Sequence, residues 1–356
     1  MNNKKTYLID LSFFNKKKIS GIERYTLNLI DILIDLSINN KLNLIILASN
    51  DLDIKKGNYR IIRLSNSIYL NTIIKIFIIN FFKFNFYIEA GFPILILLKK
   101  ISIIRVLHDD FFETRNKTNG FKEKYIISKF EKFFLNKYFK IITVSNSSKQ
   151  RISRLSNCEI QILPNTISKN FKKNKDLNTK LKFKNKKLLC VGTINERKNF
   201  EFAIRIFNIL KKSDTQIKLE IIGRLGWNCK LFLNEINRSP YKQDIKVKHD
   251  VNDEGLLNYY SDSSILLIPS HDEGFCLPFV EAQFFGTPVI AHSISIFEEI
   301  GGNSMISLPL IEENWVEAVL RILNDENIYQ ELSIKSLNNA HKFNYQSFTN
   351  KVNEIF

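Results

Sequence analysis

The sequence predicts an α/β fold made of two doubly wound, Rossmann-like domains that face each other across a cleft. Three observations predict it. Short apolar runs alternate with longer amphipathic ones through both halves, the pattern of parallel sheets whose crossovers are helices. At 356 residues the chain is long enough for two domains of ordinary size, each with its own core. Between the halves lies a polar stretch rich in Lys and Asn, residues 169–187, without a convincing apolar face, and it reads as the linker.

In the first half TYLIDLSFF, NLIILAS, FYIEA, IIRVLHD and KIITVS read as strands. RYTLNLIDILIDLS and EKYIISKFEKFFLNKY carry apolar residues at helical spacing. The second half repeats the theme, with KLLCVG, KLEIIGR, DIKVKHDV, SILLIPS and TPVIAHS as strands, and FEFAIRIFNILKKS and NWVEAVLRILND as helices. The expected organisation is an N-terminal domain over residues 1–168, the linker over 169–187, a C-terminal domain over 188–340, and a closing helix over 341–356 that packs back on the first domain. Ligands of doubly wound sheets sit at the carboxyl ends of the strands, so the cleft is the expected site.

Composition narrows the function classes. With 29 phenylalanines and charged residues at 25% of the chain, the protein is globular. Cys158, Cys190, Cys229 and Cys276 form no C-x-x-C pair, so neither a zinc site nor a disulfide framework is expected, and a reducing cytoplasm fits. The N-terminal apolar run carries Asp10 and reads as a first strand, not a signal peptide. Residues 73–107 are the most apolar region, but Lys75, Lys83, Glu89, Lys99 and Lys100 break them below the roughly 18 to 20 uncharged residues that a bilayer crossing needs.

Charge divides the chain. Residues 1–187 hold 36 Lys and Arg against 14 Asp and Glu, a balance of +22, while residues 188–356 hold 16 against 22, a balance of −6. A basic half suits nucleic acid, an anionic membrane or an anionic substrate. The charge is spread over helices and linker and matches no motif of single-strand binders, so nucleic acid is not an expected partner. Lys122, Lys124, Lys129, Lys132, Lys137 and Lys140 cluster with Phe121, Phe130, Phe133 and Phe134, a pattern that suits peripheral binding to an anionic membrane surface.

One stretch carries most of the chemistry. In HDEGFCLPFVEAQFFGTPVI, Glu273 and Glu281 stand with seven residues between them, after the strand SILLIPS. A helix that begins near Pro278 puts Glu281 in its first turn, close to amides that attract anions, with Glu273 on the loop before it. Two carboxylates beside a phosphate-binding loop make chemical sense as ligands of hydroxyls, those of a ribose or a sugar.

The stretch resembles the E-x7-E signature of retaining GT-B glycosyltransferases of family 4, the group 1 glycosyl transferases. It stands here as Glu273-Gly274-Phe275-Cys276-Leu277-Pro278, Glu281-Ala282 and Gly286-Thr287-Pro288-Val289, with Cys276 where the family usually has a second glycine. VGTINERKN resembles the family's V-G-x-x-x-x-R-K-N element, which implies that Arg197 and Lys198 bind the donor diphosphate. KISGIERYTLNLI resembles the N-terminal glycine loop and implies that Gly21 lies close to the donor. VLHDD resembles the strand-end histidine motif and implies that His108 lies near the transferred sugar. IITVSNSSKQRI, ILPNTI and the final FNYQSF follow the family's landmarks in order.

The resemblance implies the GT-B fold and transfer of a hexose from a nucleotide-sugar donor to a saccharide acceptor with retention of configuration. It gives Glu281 to the ribose, Glu273 to the sugar hydroxyls, and Arg197 and Lys198 to the diphosphate, with Gly274, Phe275, Cys276 and Leu277 in the donor loop. No cofactor and no metal are expected. GIERY resembles the GIGRY of bacterial mannosyltransferases, which implies GDP-mannose as donor and a lipid-linked saccharide of a surface polysaccharide as acceptor, at the inner face of the cytoplasmic membrane. Asp51-Leu52-Asp53 spells the D-x-D metal motif of another transferase fold but sits in a Lys-rich surface segment and reads as a solvated turn. The rival enzymes are a nucleotide-sugar epimerase or phosphorylase on the same frame. The rival from another class is a basic nucleic-acid-binding protein. No G-x-G-x-x-G follows a first strand and no P-loop is present, which argues against a dehydrogenase or an NTPase.

Overall fold

Runs such as LIDL and LIILA are apolar on both faces, so they are stable only where helices cover both sides of a parallel sheet. In the computed structural model both belong to interior strands of one. The structure describes residues 4–12, 14, 21–49, 52, 54–65, 68–91, 102–108, 132–169, 171 and 179–356. The chain divides into one unit of Met1–Thr166 with Gln346–Phe356 and a second of Ile167–Tyr345.

The first unit follows β1 (Thr6–Leu11), α1 (Gly21–Ile38), β2 (Asn43–Ser49), β3 (Arg60–Leu64), α2 (Ile68–Phe81), β4 (Phe86–Glu89), β5 (Ser102–Leu107), β6 (Lys140–Thr143), α3 (Asn146–Ser153) and β7 (Glu159–Ile162). Its sheet order is β3-β2-β1-β4-β5-β6-β7, and every neighbouring pair is parallel. Leu8, Ile45, Leu47, Leu64 and Tyr87 on the strands bury against Ile78 and Ile79 of α2. Buried charge gathers at the carboxyl ends of its strands. Asp10 of β1 pairs with Lys75 at 2.7 Å and accepts from the Tyr87 hydroxyl at 3.0 Å. Arg105 of β5 lies 3.7 Å from the Glu89 carboxylate and donates to Gly91 O at 2.6 Å.

The second unit runs α4 (Thr179–Asn185), β8 (Lys187–Val191), α5 (Phe200–Ser213), β9 (Lys218–Ile222), α6 (Lys230–Arg238), β10 (Ile245–Lys248), α7 (Asp253–Asp262), β11 (Ile265–Ile268), α8 (Leu277–Phe284), β12 (Val289–His292), α9 (Ser295–Gly301), β13 (Ile306–Leu308), α10 (Glu312–Asn324) and α11 (Glu326–Ala340). Its sheet order, β10-β9-β8-β11-β12-β13, reverses direction between β8 and β11, the switch point at which such sheets bind ligands. α5 shows why the local sequence forms its helix. Phe200, Ala203, Ile204, Phe207 and Leu210 recur at the spacing of one helical face and are buried, and Phe202 meets the Trp315 ring of α10 edge-on at 5.4 Å. The last helix, α12 (Tyr345–Ile355), groups with the first unit from Gln346 onward, where its Phe348 ring meets Tyr25 edge-on at 5.6 Å.

One reading changes. The stretch expected to be a featureless linker contains α4, with Lys182 buried on it, and ends in the first residue of β8. The described part of the apolar region at residues 73–107 holds the end of the 14-residue α2 and two strands, and, as expected, no described helix is long and apolar enough to cross a membrane. The helix read in EKYIISKFEKFFLNKY lies mostly outside the described residues, as do Lys122, Lys124, Lys129, Phe121 and Phe130; residues 132–134 are helical and Leu135–Lys137 forms a 3-10 turn.

Candidate active site

Adjacency of β8 and β11 is what gathers the site, because the loops leaving their carboxyl ends emerge side by side. After β8 the chain passes Gly192 and enters a 3-10 turn, Glu196–Lys198, where the side chain of Asn195 accepts from the Lys198 amide at 3.1 Å. Asn199 follows in the left-handed region at φ 52 and donates from its side chain to Pro269 O at 3.2 Å. The His271 amide donates to Arg197 O at 2.9 Å. These bonds fasten one loop to the other.

Glu273 lies at their junction and is 4% exposed. Its Oε2 accepts from Arg197 Nη1 at 2.6 Å, and its Oε1 accepts from Lys198 Nζ at 2.5 Å and from Ser270 Oγ at 2.9 Å. Arg197 Nη1 also donates to Asp272 O at 2.8 Å. Burial on its own raises the Glu273 carboxyl, but Arg197, then Lys198, and the hydrogen bonds from Lys198 and Ser270 outweigh it and hold the group at about 2. Two cations and one carboxylate leave a net positive cluster at the switch point.

Space for it is set by two glycines. Gly192 has φ +143, and a Cβ there would stand 3.0 Å from Lys198 Cε. A Cβ on Gly223, at the end of β9, would stand 1.8 Å from Gly192 O, so only glycine allows the two backbones to meet.

The loop expected to hold the donor runs on through Gly274, Phe275 and Cys276, all buried, into Leu277, the first residue of α8. Phe275 meets Phe343 edge-on at 5.4 Å. Cys276 adopts φ 71 and ψ 76, a left-handed conformation that explains why glycine suits this position; a side chain there costs about 1 to 2 kcal/mol. Its thiol is buried, and burial pushes it up to about 12. Glu281 needs a correction: α8 starts at Leu277, so Glu281 is its fifth residue, past the first turn and past the free amides expected to adjoin it. It is buried, and its Oε2 accepts from the Tyr260 hydroxyl at 2.8 Å.

The remaining expected residues belong to the first unit. Gly21 is the exposed first residue of α1; most of the preceding glycine loop lies outside the described residues. His108 follows β5. Its ring meets Tyr25 edge-on at 4.6 Å, and its buried Nε2 has no hydrogen-bond partner among the described residues. Burial, then the Arg105 charge, lowers it to about 3, so the imidazole is neutral at physiological pH. Asp51 and Asp53 lie outside the described residues. Among the described residues no three His, Cys, Asp or Glu side chains gather as a metal cluster.

The structure therefore brings Arg197, Lys198 and Glu273 together directly, with Glu281 on the helix that follows. Sequence reading missed Ser270, Asn199, Tyr260 and Lys182. Asn199 stands in the R-K-N motif and Ser270 three residues before Glu273, but nothing local marks Tyr260 and Lys182, whose partners lie 21 to 105 residues away.

Residues 171–339 match the family described as glycosyl transferases group 1. A stretch of 113 residues is 31% identical to a serotype-specific mannosyltransferase WbdA of Escherichia coli, covering 32% of this chain and 14% of that one. A stretch of 167 residues is 26% identical to O-antigen chain mannosyltransferase B of Escherichia coli, covering 45% of this chain and 43% of that one. The chain thus matches less than half the length of either relative. Among solved structures, sucrose-phosphate synthase from Thermosynechococcus elongatus superposes with a TM-score of 0.78 at 15% identity, over 99% of this chain and 98% of that one.

Proposed function

Since residues 171–339 match the group 1 glycosyl transferases and the fold is that of GT-B enzymes, we propose that the chain transfers a hexose from a nucleotide-sugar donor to a saccharide acceptor with retention of configuration, as a family 4 enzyme. The observation that carries the reading is the pair of cations, Arg197 and Lys198, held by one buried carboxylate at the switch point of the second sheet.

The chemistry follows from charge. As the bond from the sugar's anomeric carbon to the donor phosphate breaks, negative charge grows on the departing diphosphate. Arg197 and Lys198 neutralise it, which is the task a divalent metal performs elsewhere, so no metal is needed. The acceptor hydroxyl bonds to the anomeric carbon from the same face, and its proton passes to the departing phosphate oxygen. Glu273 orients the cations and takes sugar hydroxyls; Glu281 takes the ribose. His108, being neutral, hydrogen-bonds a hydroxyl of the transferred sugar and is no general acid. GDP-mannose is the proposed donor and a lipid-linked saccharide of a surface polysaccharide the proposed acceptor, in keeping with what the two mannosyltransferase relatives are called.

Peripheral docking at the inner face of the cytoplasmic membrane belongs to the same reading. Support comes from the outer face of α2, where Leu70, Ile73, Ile76, Phe77 and Phe81 are 38% to 71% exposed on a helix without acidic residues. The test incubates the full chain with GDP-mannose, UDP-glucose and UDP-N-acetylglucosamine, with and without a polyprenyl-linked saccharide, and reads products by mass spectrometry. An acceptor heavier by one hexose supports the reading. Donor isomerised or cleaved without any acceptor favours the epimerase or phosphorylase instead.

A further inference from the structure

Glu281 is held from behind by side chains that the donor reading does not use. Tyr260 of α7 is fully buried and donates its hydroxyl to Glu281 Oε2 at 2.8 Å. The backbone of Tyr260 is tied in turn, because Thr287 Oγ1 donates to Tyr260 O at 2.8 Å. That threonine oxygen accepts from Lys182 Nζ at 2.6 Å, and the same ammonium donates to Phe285 O at 2.7 Å. Phe285 is the C-cap of α8, the helix that carries Glu281, and its ring stacks on Tyr260 with centroids 6.3 Å apart. One ammonium, from α4, thus joins the end of the Glu281 helix to the residue that grips the Glu281 carboxylate.

Burying a lysine is unfavourable even when its donors are satisfied, and a methionine would fill much the same space without that cost. What the ammonium adds is fixed geometry between α7 and α8. A carboxylate that accepts two neighbouring hydroxyls must present its plane to both, and a hydroxyl bonded to one of its oxygens limits rotation about the terminal bond. We propose that Tyr260 and Lys182 are positioning residues that orient the Glu281 carboxylate toward the two hydroxyls of a nucleotide ribose. The inference rests on the donor reading of Glu281.

The test uses the full chain and isothermal titration with GDP against 2′-deoxy-GDP and UDP against 2′-deoxy-UDP. The readout is the preference for the ribo form, which a purely structural role leaves unchanged because it weakens both members of a pair alike. The parent prefers the ribo form of the nucleotide it binds by on the order of tenfold, the yield of one hydrogen bond to a charged group. Glu281→Gln brings the preference close to one. Tyr260→Phe, which removes one oxygen and keeps the ring, lowers it severalfold, and Lys182→Met lowers it by less. Tyr260→Phe with Glu281→Gln gives no further loss beyond Glu281→Gln alone. Should Lys182→Met not fold, Tyr260→Phe decides. If Glu281→Gln loses the preference while Tyr260→Phe keeps it, the positioning role is wrong and the donor reading stands. If neither diphosphate binds, or the parent shows no ribo preference, the donor reading itself falls.

Discussion

Replacing Glu273 by glutamine removes the charge that two cations share and keeps the side chain's shape. The parent carboxyl lies at about 2 against an ordinary 4.5, and each pKa unit corresponds to about 1.4 kcal/mol, so its ionised form contributes about 3 kcal/mol at neutral pH. Because the folded-state value is the lower one, that contribution is complete above 4.5, shrinks as pH falls, and is gone near 2. About 1 kcal/mol remains at pH 3. Glutamine also leaves Lys198, which is 7% exposed, without its counter-charge, and breaking a buried pair from one side costs about 3 to 5 kcal/mol. Urea unfolding followed by tryptophan fluorescence is the assay, since both tryptophans, Trp227 and Trp315, lie in the second unit. The variant loses about 3 to 5 kcal/mol at pH 7, and the gap to the parent narrows between pH 5 and pH 3. Equal stability at pH 7, or a gap that stays constant over that acid range, refutes the ion-pair account.

Other perturbations read the same cluster and its surroundings. Arg197→Ala and Lys198→Ala each slow transfer by on the order of 10² to 10³, while excess EDTA leaves the parent's rate unchanged; a strict need for Mn²⁺ or Mg²⁺ contradicts this. Burial, opposed by Asp262, brings Lys182 down to about 7 from 10.5, so between those values the unfolded chain binds a proton that the folded chain has released. Stability therefore rises with pH across that window by up to about 1.4 kcal/mol per unit, and the slope of unfolding free energy against pH falls in Lys182→Met. Iodoacetamide on the native protein, read by mass spectrometry, labels Cys158 and Cys229, which are partly exposed, ahead of the buried Cys190 and Cys276.

Much of the fold was legible because its signals are local. NLIILAS is β2 end to end, and FEFAIRIFNILKKS is α5 end to end. β3, RIIRL, escaped notice because it is an edge strand with two arginines exposed, which reads as polar surface. α4, TKLKFKN, escaped because three lysines in seven residues look solvated; that one of them is buried depends on acceptors at Phe285 and Thr287, over 100 residues on. The site shows the same division. Glu273, Glu281, Arg197 and Lys198 stand in motifs, but the closure of Glu273 on both cations depends on β8 lying beside β11, a fact of strand order. Tyr260 stands in no motif, and only the packing of α7 beside α8 turns its hydroxyl toward Glu281.

In the proposed function Arg197 and Lys198 receive the donor's diphosphate while Glu281 receives its ribose. A crystal structure of the chain soaked with GDP tests it most directly. The expected result is diphosphate oxygens within hydrogen-bond distance, about 2.7 to 3.2 Å, of both Arg197 and Lys198, with the ribose hydroxyls on the Glu281 carboxylate. A nucleotide seated elsewhere, with both cations still closed on Glu273 and out of reach of the phosphates, contradicts it.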